Sequence, residues 1–195
     1  MQDMKSIILA SASPRRKRLL EKARIPFIIE VSSYEEDMTL KLRPLDLAKK
    51  LSEGKAKAVA KRHEGEDILV VGADTFIIFK NKLLGKPHTL KEAKKMIKKL
   101  SGNKHSVITG FTIINAKSGK KASRAVKSSV YFRKLTNKEI EKYVNTEKPL
   151  DKAAAYAVQE AGSALIEKTE GDYTNIVGLP LPAFIEELKK FKTSL

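Results

Sequence analysis

The sequence predicts an α/β protein: a mixed β-sheet flanked by helices, in one continuous domain. Three observations carry this. Strand-like and helix-like segments alternate along the 195 residues, the order that layers helices on a sheet. Two long strand segments, Ser106 to Asn115 and Ala122 to Leu135, meet at the turn Lys117-Ser118-Gly119-Lys120, and hairpin strands must run antiparallel. No internal repeat, low-complexity tract or Pro/Gly/Ser linker divides residues 1–195, so a single domain is expected.

The elements follow in order. Ser6 to Ala10 is a short apolar strand, and Pro14 to Ala23 a helix. Ser13 suits the N-cap of that helix, and proline is favoured at the first helical position. Phe27 to Val31 reads as a second strand. Leu45 to Arg62 has leucines and alanines at helical spacing. Asp67 to Phe79 is a long apolar β segment turned by Lys80-Asn81-Lys82. Thr89 to Leu100 is a helix whose Thr89 and Glu92 have capping-box spacing. Thr136 and Glu139 repeat that spacing before a helix reaching Val144. Ala164 to Glu167 is a late strand, and Leu181 to Phe191 closes the chain as an amphipathic helix.

Composition narrows the function. A 42% hydrophobic, 32% charged chain is ordinary for a globular protein. With no cysteine there are neither disulfides nor thiolate metal sites. His63, His88 and His105 are too dispersed for a zinc pattern. No apolar run reaches the roughly 18 residues that span a bilayer, and Met1 to Leu9 lacks the apolar core of a secretory signal. A soluble, cytoplasmic protein without membrane partners is expected. The net charge of +16 calls for an anionic partner. The lysines are spread along the chain and tryptophan is absent, so base-stacking platforms are scarce and a lysine-rich solvated surface stands beside nucleic-acid binding as a reading of the charge.

Three constellations carry chemistry. The first is Ser11-Ala12-Ser13-Pro14-Arg15-Arg16 at a strand-to-helix junction. Cations there oppose the helix macrodipole. A bound phosphate resolves the conflict, because backbone N–H groups, serine hydroxyls and guanidinium forks all serve it. The Walker pattern is absent. The second is Asp74, inside the apolar run from Ile68 to Phe79. A carboxylate there must meet a strand break, a cation or a metal, and Gly72 permits close approach. The third is Glu35-Glu36-Asp37, a hard-cation candidate when joined to Asp74. Lys86 sits in a rigid Gly85-Lys86-Pro87 turn, and Gln159 ends an apolar stretch.

Six segments then fall into a familiar order: Ile8-Leu-Ala-Ser-Ala-Ser-Pro-Arg-Arg16, Val71-Gly-Ala-Asp-Thr75, Leu84-Gly-Lys-Pro87, Lys99-Leu-Ser-Gly102, Pro149-Leu-Asp-Lys-Ala-Ala-Ala-Tyr156 and Asn175-Ile-Val-Gly-Leu-Pro180. Together they resemble the Maf family of nucleotide pyrophosphatases, over nearly the whole chain. The resemblance implies an elongated mixed sheet flanked by helices, with a central cleft as in Maf and ITPase-like proteins, and a homodimer. It implies that Asp74 is catalytic and that Ser11, Ser13, Arg15, Arg16, Lys55 and Lys86 bind the substrate phosphates. It places a divalent cation, Mg²⁺ or Mn²⁺, on Glu36 and Asp74. Arg16, Thr75 and Gln159 resemble the branch that hydrolyses dTTP and UTP to the monophosphate and pyrophosphate, a house-cleaning role in the nucleotide pool. One departure is that Ala155 and Ala157 stand where relatives often have glycine. The alternative reading is a basic nucleic-acid-binding or division-regulating protein without catalysis.

Overall fold

The computed structural model describes residues 6–147 and 149–192. They form two compact units. The first comprises residues 6–74, 109–126 and 178–192, and the second residues 75–108, 127–147 and 149–177. Seven strands make one mixed sheet, as expected.

In the first unit, β1 (Ser6–Leu9) leads through α1 (Pro14–Lys22) to β2 (Ile28–Ile29), and α2 (Pro44–Ala60) leads on to β3 (Ile68–Phe79). Both β2 and β3 pair parallel with β1, one on each side, with Ile8 opposite Ile28 and Val70. Crossover helices cover parallel strands on both faces, so such strands read as unbroken apolar runs. Ile7, Ile8, Leu9, Leu69, Val70 and Val71 are all buried. The strand order reverses at β1, and open α/β sheets hold ligands beyond the carboxyl ends of the strands at such a reversal. The segments leaving those ends are residues 10–13 after β1 and 30–43 after β2, while β3 itself runs on past Val71 to Asp74. The pairing of β2 is shorter than Phe27 to Val31: only Ile28 and Ile29 are paired with β1, opposite Ile8 and Leu9.

Two glycines fix α2. A Cβ on Gly72 would stand 2.3 Å from the Ser52 carbonyl oxygen and 2.6 Å from the Ala56 nitrogen, and one on Gly110 would stand 2.2 Å from the Ala48 carbonyl oxygen. Ala48, Ser52 and Ala56 recur every four residues and so share one helix face. That face lies directly on strand backbone. Beside it, Ile8, Ala10, Ala56, Val59, Val70 and Ile114 form an apolar cluster.

The remaining strands of this unit come from β5 (Lys104–Asn115) and β6 (Lys121–Phe132). Their connection is pinned by the Asn115 side-chain oxygen, which accepts from the N–H groups of Lys117 and Ser118 at 2.9 Å each. The closing helix, α6 (Leu181–Lys192), sets Phe184 edge-on to Phe111 at 5.7 Å.

In the second unit, β3 turns through Lys80 and Asn81, with φ of 48° and 60°, into β4 (Lys82–Leu84). A two-residue hairpin with positive φ at both positions matches the right-handed twist of its strands. Helix α3 (Leu90–Leu100) starts at Thr89, whose hydroxyl accepts from the Glu92 N–H. Glu92 reaches instead to the His88 N–H at 2.7 Å, so this box is displaced by one residue from the expected one. Thr136 and Glu139 do close both halves of a capping box ahead of α4 (Asn137–Thr146). The late strand, β7, lies at Ile166–Glu170 rather than Ala164 to Glu167. It runs antiparallel to β6, pairing from Ser129 opposite Glu170 to Phe132 opposite Ile166, and Ala164 and Leu165 are taken up by a 3₁₀ turn. β6 correspondingly ends at Phe132, short of Leu135, where its partner ends. A short helix, α5 (Tyr173–Val177), was not foreseen. Among the described residues no helix is long and apolar enough to cross a membrane.

Candidate active site

After β1 the chain makes a tight polar turn. The Ser11 hydroxyl accepts from the Ser13 N–H at 3.2 Å, and the Ser13 hydroxyl accepts from the Arg16 N–H at 3.4 Å, capping α1. The side chain of Arg16 then turns inward. Its Nη1 donates to Ser11 Oγ at 3.0 Å and its Nε to the Gly178 carbonyl at 2.9 Å. Burial presses its pKa below the ordinary arginine value. Asp74 raises it again, the neighbouring Arg15 lowers it and Glu36 raises it. Arg16 is thus a buried cation within the field of both carboxylates of the site. Arg15 is half-buried and makes no ion pair among the described residues. The two adjacent arginines therefore do different work: one is anchored and one remains available to an anion.

The second cluster lies on β3, α2 and the segment after β2. Lys55 Nζ stands 2.6 Å from Asp74 Oδ1 and 2.6 Å from Glu36 Oε1. Asp74 is buried, as its apolar surroundings required, and its burial is made tolerable by this ammonium. The contact follows from packing. Gly72 and Asp74 are two residues apart and share a face of the strand, and the face of Gly72 is the one on which α2 rests. The acidic trio is resolved as well. Glu36 reaches Lys55, whereas Asp37 accepts from the N–H and hydroxyl of Thr39 at 2.9 and 2.6 Å and is committed to a local turn. Two carboxylate oxygens around one cation are a hard donor set. Among the described residues no third His, Asp or Glu joins them, so a bound Mg²⁺ would draw its other ligands from water and phosphate, its usual habit.

Thr75, Lys86 and Gln159 belong to the second unit. Thr75 follows Asp74 on β3 and is half-buried. Lys86 is exposed, with no ion pair among the described residues. Its turn is anchored because the Gly85 carbonyl accepts from the Ala154 N–H at 2.8 Å, which joins two of the six recognised segments. Ala154 and Ala155 have φ of 51° and 69°. Ala155, noted above as standing where relatives often have glycine, therefore occupies the left-handed region that favours glycine. Gln159 is half-buried and does not cap the turn that follows it. Next to this segment, the Tyr156 hydroxyl lies 2.6 Å from His105 Nε2.

Sequence reasoning missed Gly178, whose backbone carbonyl holds Arg16. A carbonyl acceptor leaves no side-chain signature, although the Asn175 to Pro180 segment that contains it was singled out.

Known proteins resemble this chain over nearly its whole length. The family of Maf-like proteins matches residues 6–191. A protein of Methanosarcina barkeri named dTTP/UTP pyrophosphatase is 46% identical over 193 residues, 98% of this chain and 97% of that protein. Proteins of the same name from Bacillus cereus and Alkaliphilus oremlandii are 45% and 44% identical, covering 96% and 91% of this chain and 96% and 92% of their own. With the family match spanning almost all described residues and relatives 44–46% identical over nearly their whole length, the chain belongs to the Maf family.

Proposed function

We propose that this protein is a nucleoside triphosphate pyrophosphatase that prefers dTTP and UTP and releases the nucleoside monophosphate and pyrophosphate. The observation that carries the reading is Lys55, set between the carboxylates of Asp74 and Glu36 at 2.6 Å each. It lies at the carboxyl ends of parallel strands, where Arg16 feels the charge of the same two acids. The curated relatives bear the name of this activity.

Hydrolysis of the α–β anhydride adds water to phosphorus, breaks the bridging P–O bond and gives the pyrophosphate as leaving group. Such reactions depend on positioning and on neutralising charge. Arg15, Arg16 and Lys55 supply cations to the triphosphate, the family resemblance assigns Lys86 the same role, and the hydroxyls of Ser11 and Ser13 orient the turn that meets it. Asp74 serves as the proton acceptor for water or as a ligand to the cation. Glu36 and Asp74 would hold a divalent metal, whose chemistry is to polarise phosphate oxygens and activate water. Gln159 can donate and accept at once, which suits the O4/N3–H edge of uracil and thymine and mismatches cytosine. One mismatched hydrogen bond is worth about 10- to 100-fold in kcat/KM.

The test is turnover of UTP, dTTP, CTP and GTP with chromatographic identification of products, for wild type, Asp74→Asn and Gln159→Ala. Monophosphate and pyrophosphate are expected, with uracil and thymine substrates ahead. Asp74→Asn should lose about 100-fold or more in kcat while keeping its fold. Gln159→Ala should erode the base preference more than it slows the best substrate. Release of inorganic phosphate and a diphosphate, or normal turnover by Asp74→Asn, refutes the reading.

A further inference from the structure

We propose that Tyr34 and Gly54 form a positioning pair that holds Glu36 against Lys55; this rests on the reading of Glu36 and Lys55 as site residues. Gly54 lies in the interior of α2, where glycine is a poor choice because it gains no side-chain packing and loses the most backbone freedom. Something must require it there. A Cβ at Gly54 would stand 2.3, 2.5 and 2.6 Å from the Cζ, Cε2 and Cε1 atoms of Tyr34. The aromatic ring occupies the place of the missing side chain and rests on the bare helix backbone.

The position of this contact gives it consequence. Tyr34 precedes Glu36 by two residues, and Gly54 precedes Lys55 by one. The segment therefore touches α2 at two neighbouring points, ring on glycine and carboxylate on ammonium. Beside Glu36 the bonds are local, with the Tyr34 N–H donating to Ser32 Oγ at 3.1 Å and Asp37 binding Thr39, and the next tie to the rest of the fold is at Val31, whose carbonyl accepts from Arg62 Nη2 at 3.1 Å. Glu36 is itself 42% exposed, against 7% for Asp74. An exposed side chain on an irregular segment has many conformations open to it, and an exposed ion pair does little to restrict them. The ring on Gly54 removes that freedom at the backbone. The helix is not the partner that would yield, since Gly72 and Gly110 fix it on the strands. A methyl group at position 54 would therefore move Tyr34, and Glu36 with it.

The experiment compares Gly54→Ala, Tyr34→Phe and Tyr34→Ala with wild type, each also in a Glu36→Gln background. It measures kcat and KM on the preferred triphosphate, the melting temperature, and amide hydrogen exchange over residues 32–39. Gly54→Ala should melt no lower than wild type, because alanine favours the helix. Its kcat should nevertheless fall about tenfold, the scale of a catalytic group displaced by a fraction of an ångström. Exchange over residues 32–39 should quicken. Tyr34→Phe keeps the ring and should behave as wild type, whereas Tyr34→Ala should lose kcat as Gly54→Ala does. In the Glu36→Gln background, Gly54→Ala should cost nothing more. Unchanged kcat and exchange in Gly54→Ala, an equal further loss without Glu36, or activity that falls only in step with melting temperature overturns the proposal. Wild-type activity in Glu36→Gln alone overturns the reading of the site instead, and the exchange data still show whether the ring holds the segment.

Discussion

Replacing Lys55 by methionine keeps the length of the side chain and removes the charge shared by two acids. The consequence can be worked out from the geometry. Both carboxylate oxygens lie 2.6 Å from one nitrogen, so they stand no more than about 5 Å apart, and without the ammonium they repel by roughly 3 kcal/mol at an effective dielectric of about 20. Asp74 is additionally left as a buried charge without its ammonium partner, a loss that typically costs about 3–5 kcal/mol. Glu36 relieves part of this by turning to solvent, since its side chain is 42% exposed. A net destabilisation of about 2–4 kcal/mol follows, which for a chain of this size lowers Tm by roughly 5–15 °C.

The assay is thermal and urea unfolding of wild type, Lys55→Met, Asp74→Asn and the double variant. Removing the stranded charge should restore stability, so the double variant should be more stable than Lys55→Met alone. Millimolar Mg²⁺ should raise the Tm of Lys55→Met more than that of wild type, because two facing carboxylates then lack their internal cation. A Lys55→Met protein as stable as wild type refutes the argument. So does a double variant whose loss is the sum of the two single losses, since the pair would then not be coupled.

Two further predictions concern the fold. His105 is buried between Phe132 and Tyr156, with its Nδ1 lacking a hydrogen-bond partner among the described residues, and burial pushes its pKa down to about 4. The folded chain refuses the proton that the unfolded chain accepts below about pH 6.5, so up to roughly 3 kcal/mol of stability is lost as pH falls from about 6.5 to 4; His105→Gln should flatten that limb in urea unfolding, and an unchanged slope would count against it. Gly72→Ala drives a methyl group into the Ser52 carbonyl and the Ala56 nitrogen and should cost about 1–3 kcal/mol in urea unfolding, together with a loss of activity as Lys55 is carried away from Asp74; a neutral substitution would show that α2 can recede.

Much of the fold could be read locally. Ser13-Pro14 and Thr136 with Glu139 announced helix starts because the capping atoms lie within three residues of each other, and the structure places those caps as expected. The same logic went astray by one residue at Glu92, where the carboxylate has two N–H groups within reach and takes that of His88. Strand ends were read least well, because pairing is decided by the partner. Phe27 to Val31 has the composition of a strand, yet only Ile28 and Ile29 settle into register with β1. The late strand begins two residues later and ends three later than expected for a similar reason. Its register is set across the ladder, where the Tyr131 hydroxyl donates to Glu170 and the ring lies under Lys168.

The site divides along the same line between local and tertiary information. Asp74 was legible because a carboxylate within an apolar strand needs a strand break, a cation or a metal, and what it meets is the ammonium of a partner lysine. The partner itself was not legible from composition. Lys55 is one of 39 basic residues, and only the resemblance singled it out. What distinguishes it physically is the close approach of α2 to β3 at Gly72, which brings this lysine, among many on helical surfaces, to a buried acid. Glycines at 54, 72 and 110 are thus the places where the sequence records tertiary contacts that no charged residue reveals. Gly72 and Gly110 each interrupt a strand and Gly54 a helix, and in all three the absent side chain makes room for a neighbouring group. In a chain this rich in lysine, the glycines that look locally unfavourable mark where α2 and the acids were brought together more clearly than the charges do.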